Sequence, residues 1–280
     1  MKMKKPKTLV AFSILVCFFI FSWVFAENEV EETKNQTSES EMTKPSLAEI
    51  DELMVEKTVE NSQKAIKGYE LLLKDDPGNY EILYKLAKAY ITIIDIKTSA
   101  LIVEKDEYKP ILKKLGKIAN DYAKRAYESN PKDIEVVSAY LVSYGYYSAS
   151  FGIFKAIFKG AAGRYKKLCN EIIEIDETHL GALGYRLLGK LYHVAPWPVG
   201  SKKKALKFFK KAVETDNTLL YSHYYIGLIY FNQKKYDLAE DEFRFVLEND
   251  ANIHEKHFVD AYKREAGNYL TKISKKKRKK

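Results

Sequence analysis

Histidine and cysteine are the side chains from which catalysis or metal binding is most readily built, and this chain has few of either. Its 280 residues include five histidines and two cysteines. The segment HEKHF places His254 and His257 three residues apart, one short of the four-residue step in the zinc-binding H-E-x-x-H pattern. No G-x-S-x-G nucleophile elbow or cysteine cluster occurs. We therefore expect no catalytic residue, no metal site and no cofactor.

A glycine-containing basic segment, KGAAGRYKK at 159–167, is the nearest approach to a phosphate-binding loop. Such loops follow a β-strand and lead into the first turn of a helix. The residues before 159 are apolar without strand alternation. We therefore do not expect this segment to bind phosphate.

Composition favours a folded helical body over an extended basic binding surface. Apolar residues make up 46% of the chain, and tyrosine occurs 21 times. The net charge is +9, but four lysines before residue 8 and the six basic residues at 275–280 account for ten positive charges. The remainder is near −1, so we expect no basic stripe and no nucleic-acid partner.

A repeated pattern indicates how the chain is organised. An apolar residue, then Gly or Ala, then Tyr three positions later recurs in KLAKAY (85–90), LLGKLY (187–192) and YIGLIY (225–230). After the last two, Ala205 and Phe209 recur 34 residues later as Ala239 and Phe243. Small residues at regular spacing let two helices approach closely, so each unit predicts an antiparallel helix pair that buries its apolar face by stacking. At the last crossing we expect Gly227 to face Ala239.

These residues resemble the tetratricopeptide repeat, whose first helix carries Leu-Gly/Ala-x-x-Tyr and whose second carries Ala-x-x-x-Phe-x-x-Ala. The resemblance implies an all-α, right-handed solenoid of about five antiparallel helix pairs over 46–273, closed by a helix over 253–272. A capping box in SLAE predicts a helix after Ser46 that acts as an N-terminal cap.

A looser resemblance covers roughly 46–273. The order of AKRAYESNPKD, GIFKAIFKG and LGALGYRLLGKLYHVAPWPVGSKKKALKFFKKA is similar to a bacterial envelope family related to the T component of TRAP transporters. That family implies a partner, a periplasmic solute-binding protein. It typically carries a lipid anchor, which Cys17 does not provide because it lies inside an apolar run.

The tetratricopeptide resemblance also implies a binding surface, because the first helices of such repeats line an inner groove. Tyrosine and arginine dominate the corresponding positions, and both types are enriched where binding energy concentrates. The predicted groove residues are Tyr84, Lys88, Ser138, Tyr146, Arg186, Lys190, His193, Trp197, Tyr221 and Tyr224.

Two departures from the repeat leave alternatives open. About 20 extra residues fall within 91–118, and a small-ligand carrier, for an apolar or anionic molecule, would place its enclosed pocket beneath them. The loop HVAPWPVGSK holds Trp197 between two prolines. The ring is expected to pack as a clamp over the helix ends, the alternative being a lip of the groove. The segment 150–160, with three phenylalanines, predicts either a buried linking helix or an exposed patch for lipid or self-association.

The termini predict export. Lysines precede an apolar run from Leu9 to Ala26, which indicates a signal peptide at 1–26 or an uncleaved membrane anchor. Residues 27–45 are polar and acidic and predict a flexible linker, and 274–280 form a basic tail. We expect an extracytoplasmic, non-enzymatic scaffold that binds an envelope protein, with self-association as a further option.

Overall fold

The computed structural model describes residues 44–158, 160–251, 254 and 258–278. The predicted signal peptide and most of the linker lie outside the described residues. Every regular element within them is helical, so the predicted all-α fold is confirmed. In chain order the α-helices are α1 (Leu47–Leu53), α2 (Val59–Leu73), α3 (Tyr80–Thr98), α4 (Lys109–Ile111), α5 (Lys117–Ser129), α6 (Ile134–Ala149), α7 (Ile153–Phe158), α8 (Ala161–Ile175), α9 (His179–Val194), α10 (Lys202–Thr215), α11 (Leu220–Asn232), α12 (Tyr236–Glu248) and α13 (Val259–Lys277). Among these helices none is long and apolar enough to cross a bilayer.

The helices pack as the repeat pattern predicts. Five pairs follow one another, α1/α2, α3/α5, α6/α8, α9/α10 and α11/α12, and α13 packs against the last pair. The first helices of two neighbouring pairs, α3 and α6, also touch directly. The closing helix begins and ends later than the predicted 253–272, and it takes in part of the basic tail. There Lys277 lies 2.5 Å from Asp237 and 2.7 Å from Glu240.

Side-chain caps explain where several helices begin. The capping box at Ser46 is present: the Glu49 amide donates to the Ser46 hydroxyl at 3.3 Å, and the Ser46 amide donates to the Glu49 carboxylate at 2.7 Å. Asn79 and Asp133 cap α3 and α6 with their side-chain oxygens. Each cap satisfies an amide that has no partner within its helix.

In each of the last two helix pairs a phenylalanine ring of the second helix packs directly against a glycine of the first. A Cβ added to Gly189 would lie 2.6 Å from the Phe209 ring, and one added to Gly227 would lie 2.9 Å from the Phe243 ring. Both rings are fully buried. At the last crossing the atoms nearest to a Cβ at Gly227 belong to the ring of Phe243, and Ala239 is buried in the same core cluster; a direct contact between Gly227 and Ala239 stays a prediction.

The insertion of the second pair is mostly helical. Helix α3 continues to Thr98 and ends in a left-handed turn, Ser99–Leu101, whose φ angles are +48°, +49° and +54°. After an irregular stretch, α4 and a π-helical segment, Leu112–Gly116, run directly into α5. The π-helical segment packs against both α3 and α6.

Candidate binding cavity

The inner faces of α3, α6 and α9 line much of a solvent-open cavity of about 920 Å³, and the insertion of the second pair forms part of its wall. Most of the lining residues on these helices recur every three or four positions, as expected for one helix face. They include Tyr84, Lys88, Ile91, Thr92 and Asp95 on α3; Glu135, Ser138, Ala139, Val142 and Tyr146 on α6; and Leu183, Arg186, Leu187, Lys190, Leu191 and Val194 on α9. The insertion contributes Ala100, Leu101, Glu104, Lys105, Asp106, Lys109 and Leu112.

Asp95 and Tyr146 form a hydrogen-bonded pair in the cavity wall, with the tyrosine hydroxyl donating to the carboxylate. Asp95 is half-buried and lines the cavity. Burial raises the pKa of Asp95 to about 7, although the Tyr146 hydrogen bond and the charge of Lys57 oppose that rise. The carboxyl group therefore changes charge near neutral pH.

A second polar group lies at the edge of the same wall. The Lys88 ammonium is 2.7 Å from the Glu135 carboxylate, and His179 lies 4.0 Å from that carboxylate. Burial raises the pKa of Glu135. The hydrogen bond from Lys88 and the positive charge of that lysine lower it by more, so the pKa of Glu135 is below its usual range. Glu135 is thus a fixed negative charge beside the cavity.

Arg186 holds the start of α9 in an unusual conformation. Leu180, Gly181 and Ala182 have left-handed φ angles of +48°, +66° and +53°. The guanidinium donates to the Leu180 and Gly181 carbonyls, both at 2.7 Å, and lies over the ring of Tyr221 at 5.3 Å. Left-handed turns cost energy for residues with a Cβ, and these hydrogen bonds offset that cost.

Lys190 connects α9 to the insertion. Its ammonium donates to the Leu101 carbonyl at 3.3 Å, lies 4.0 Å from Glu104 and also bonds the Tyr225 hydroxyl. Leu101 is the last residue of the left-handed turn that ends α3. One side chain thus fixes the position of the insertion over the cavity.

The structure brings seven of the ten predicted groove residues to this cavity. Their role in binding stays a prediction. The seven come from four first helices and are Tyr84, Lys88, Ser138, Tyr146, Arg186, Lys190 and Tyr221.

Two other predicted groove residues lie away from the cavity. Tyr224 is 3% exposed and packs among aromatic rings that include Phe243 and Tyr262. His193 lies edge-on to the Tyr225 ring at 5.4 Å and does not reach the cavity. Burial, reinforced by nearby lysines, lowers the pKa of His193 to about 3, so the ring is neutral.

Trp197 contradicts the expected clamp. Its side chain is 88% exposed, and it does not line the cavity either. The loop instead packs through Ala195 and Val199, which join a small cluster with Ala162 and Leu191. Cys169, by contrast, is fully buried, as expected of a small apolar core residue.

Sequence reasoning missed Asp95 and the apolar face of α9. Asp95 is the single acidic residue in the run AYITIIDI, and an isolated charge on an apolar helix was the available signal. Leu183, Leu187 and Leu191 share one helix face at steps of four. That spacing is identical to the spacing of core residues, so it does not separate a cavity wall from a packed interface.

Metal binding finds no support in the described residues, among which no cluster of three or more histidine, cysteine or acidic side chains occurs. His257 of the HEKHF segment lies outside the described residues. His223 forms a pair with Glu242 at 2.7 Å, away from the cavity.

Comparison with known proteins bears on the fold. The chain is similar to TTC0263, a thermophilic TPR protein in Thermus thermophilus, with a TM-score of 0.51 and 15% identity over 74% of this chain and 91% of that one. It is also similar to MamA, with a TM-score of 0.46 and 21% identity over 73% of this chain and 94% of that one. No protein-family model and no curated protein matches the chain. The likeness to TTC0263 shows a tetratricopeptide-like fold and no more.

Proposed function

We propose that this tetratricopeptide-like chain is a non-enzymatic binding scaffold that takes a segment of another protein into the cavity between α3, α6 and α9. The observation that carries the proposal is the position of the cavity: it lies where first helices of successive repeats face inward, with its mouth in solvent. Glu104 and Lys105, at the wall formed by the insertion, have side chains 56% and 51% exposed.

The chemistry of the wall suits an extended polypeptide. Apolar positions such as Val142 and Leu187 alternate with charged ones such as Lys88 and Glu135. Buried tyrosines supply rigid contact area with a hydrogen-bonding tip. A segment with apolar side chains at intervals and at least one charge would satisfy both kinds of surface.

The partner we propose is an envelope protein, specifically a periplasmic solute-binding protein. Support comes from the sequence: the lysine-rich start and apolar run before residue 27 favour export, and the order of segments resembles the T-component family of TRAP transporters. The chain would then act outside the cytoplasm, cleaved after Ala26 or tethered through its apolar run.

A blocked cavity tests the proposal. Thr92 lines the cavity, so Thr92→Trp would fill part of it, whereas Lys124→Trp adds the same ring to the exposed surface of α5. The full-length chain and both variants would capture proteins from envelope extract, with quantification by mass spectrometry. We expect the captured amount of one partner to fall about tenfold or more with Thr92→Trp, which corresponds to a loss of at least about 1.4 kcal/mol in binding free energy. Lys124→Trp should capture that partner as the wild type does. The same captured set with all three would contradict the proposal.

A small-ligand carrier is the second candidate, and the insertion favours it. Lys190 ties the left-handed turn at Leu101 over the first helices, which narrows the groove into a cavity at the upper end of the size range of small-molecule sites. Native mass spectrometry of gently purified protein would show a bound mass that denaturation releases. Its presence in the wild type and absence from Thr92→Trp would establish the carrier, and a wild type without bound mass would exclude it.

A further inference from the structure

We propose that the loop 195–201 and the exposed face of α10 form a docking surface for the anionic surface of a lipid bilayer. The inference goes beyond the cavity, because neither Trp197 nor the α10 lysines line it. The proposed surface combines the solvent-exposed indole of Trp197 with a row of lysines on α10, the helix that follows the loop.

The loop fixes Trp197 in place. The Gly200 amide donates to the Pro196 carbonyl at 2.8 Å, and the Ser201 amide donates to the Tyr192 carbonyl at 2.9 Å. Ala195 and Val199 pack inward. Only Trp197 and Pro198 in the loop are exposed, so the ring projects from an anchored base. Indole rings prefer the headgroup region of a bilayer, where one side is apolar and the other wet.

The face of α10 carries concentrated positive charge. Its sequence, KKKALKFFKKAVET, contains six lysines and one acidic residue, in the last turn. Ala205, Phe209 and Ala212 are buried, which leaves the lysine side of the helix outward. Lys203, Lys207 and Lys210 are exposed and form no ion pair within the described part of the chain. The net charge of the chain without its two basic ends is near −1, and this total conceals the local cluster of lysines.

A partner for this surface must be negatively charged and able to deform around a projecting ring. The attraction of a lysine to an anionic bilayer falls off within the Debye length, which is about 8 Å at physiological salt. A projecting ring needs a fitted pocket in a protein partner, whereas the headgroup region of a bilayer admits it anywhere. The base of the loop is held by the core, because Ala195 and Val199 pack in one cluster with Ile157 of α7. These features favour a lipid surface.

The fluorescence of Trp197 tests the proposal. The full-length chain with Trp23→Phe has Trp197 as its one tryptophan. Saturating vesicles of phosphatidylglycerol and of phosphatidylcholine would be compared, each with and without brominated acyl chains as quenchers. We expect a blue shift and quenching with phosphatidylglycerol vesicles alone, both reversed by high salt. Because the readout is local to Trp197, insertion of the N-terminal apolar run does not affect it.

Charge reversal supplies the matched control. Lys203→Glu, Lys207→Glu and Lys210→Glu together should abolish the shift, whereas the same change in net charge through Lys113→Glu, Lys114→Glu and Lys132→Glu, at exposed positions elsewhere, should leave it. Unchanged emission with anionic vesicles would overturn the proposal. So would equal shifts with both lipids, which would indicate apolar insertion without charge. A shift produced by dextran sulfate without lipid quenching would assign the surface to a soluble polyanion instead.

Discussion

The pairs α9/α10 and α3/α5 occupy equivalent positions in the repeat but are built differently. In α9/α10 the ring of Phe209 covers Gly189 closely enough that no Cβ fits between them. In α3/α5 the corresponding positions are alanines, Ala87 and Ala123, both fully buried. The α3/α5 pair also carries the insertion with its left-handed turn at Ser99.

The difference lies in what each pair adds to the cavity. In the α9/α10 and α11/α12 pairs a phenylalanine ring packs on a glycine and gives a close-packed crossing. The α3/α5 pair instead carries an insertion that supplies cavity-lining residues such as Asp95 and Glu104. The α9/α10 pair thus combines a close-packed crossing with one wall of the cavity, and the α3/α5 pair adds a wall that has no counterpart in the other repeats.

Removing a buried ring should produce the largest effect. Phe209→Ala and Phe243→Ala should each lower the free energy of unfolding by about 3–5 kcal/mol, because each leaves a cavity against a glycine that cannot fill it. Urea unfolding followed by circular dichroism measures the loss. Phe245→Ala, at a partly buried position that stacks on His223, should cost less. Equal losses for Phe243 and Phe245 would contradict the proposed packing.

A methyl group at the crossing should have the next largest effect. Gly189→Ala would place a Cβ 2.6 Å from the Phe209 ring, and we expect about 1–3 kcal/mol of destabilisation from overpacking. Gly163→Ala is the matched control, since a Cβ there meets nothing within 4 Å and alanine favours a helix by up to about 1 kcal/mol. If thermal melting shifts in the same direction for both, the contact of ring and glycine is not the cause.

Asp95→Asn should stabilise the protein above neutral pH. The folded-state pKa of Asp95 is about 7, raised from 3.8. As pH rises from about 4 to 7, the unfolded chain releases this proton while the folded chain holds it, so the contribution of Asp95 to stability falls and is lowest above pH 7. Each pKa unit is worth about 1.4 kcal/mol. Because the cavity admits water, we expect a gain of about 1–2 kcal/mol at pH 8.

Urea unfolding at pH 5 and pH 8 checks the sign. The gain of Asp95→Asn over the wild type should be larger at pH 8 than at pH 5, and Asp121→Asn, at an exposed site on α5, should show no such difference. A variant that loses stability at pH 8 would refute the assignment of Asp95 as a carboxyl group forced toward neutrality by burial.

Trp197→Ala should have the smallest effect. The ring is 88% exposed, and surface substitutions usually change stability by less than about 0.5 kcal/mol. Differential scanning calorimetry of the wild type and the variant measures this directly. A loss of several kcal/mol would restore the clamp that the sequence suggested.

Repeat spacing determined most of the fold. The 34-residue interval from Phe209 to Phe243 predicted the helix pairs and their order, and the capping box at Ser46 predicted the first helix start. The spacing did not show which side chain packs against the small residue where two helices cross, because glycine and alanine are equally acceptable at that position of the pattern. The exposure of Trp197 was also hidden, since a tryptophan between prolines suits a buried ring and a projecting one equally.

The sequence predicted only part of the candidate site, and the reason is physical. Tetratricopeptide positions located Lys88, Arg186 and Lys190, because first-helix residues face inward in every repeat. They misplaced Tyr224, which α13 covers in the last pair: Tyr262 and Tyr269 of that helix pack against its ring. A terminal helix has no counterpart within the repeat, so the repeat pattern carries no information about what it buries.

Site-specific photo-cross-linking tests the central claim, that the ligand binds between α3, α6 and α9. A benzophenone amino acid would replace Val142, which lines the cavity, or Lys124, which is exposed on α5, in the full-length chain in contact with envelope extract. The account predicts a cross-linked product from position 142 that is absent from position 124 and that Thr92→Trp abolishes. Products from position 124 with none from 142 would contradict it.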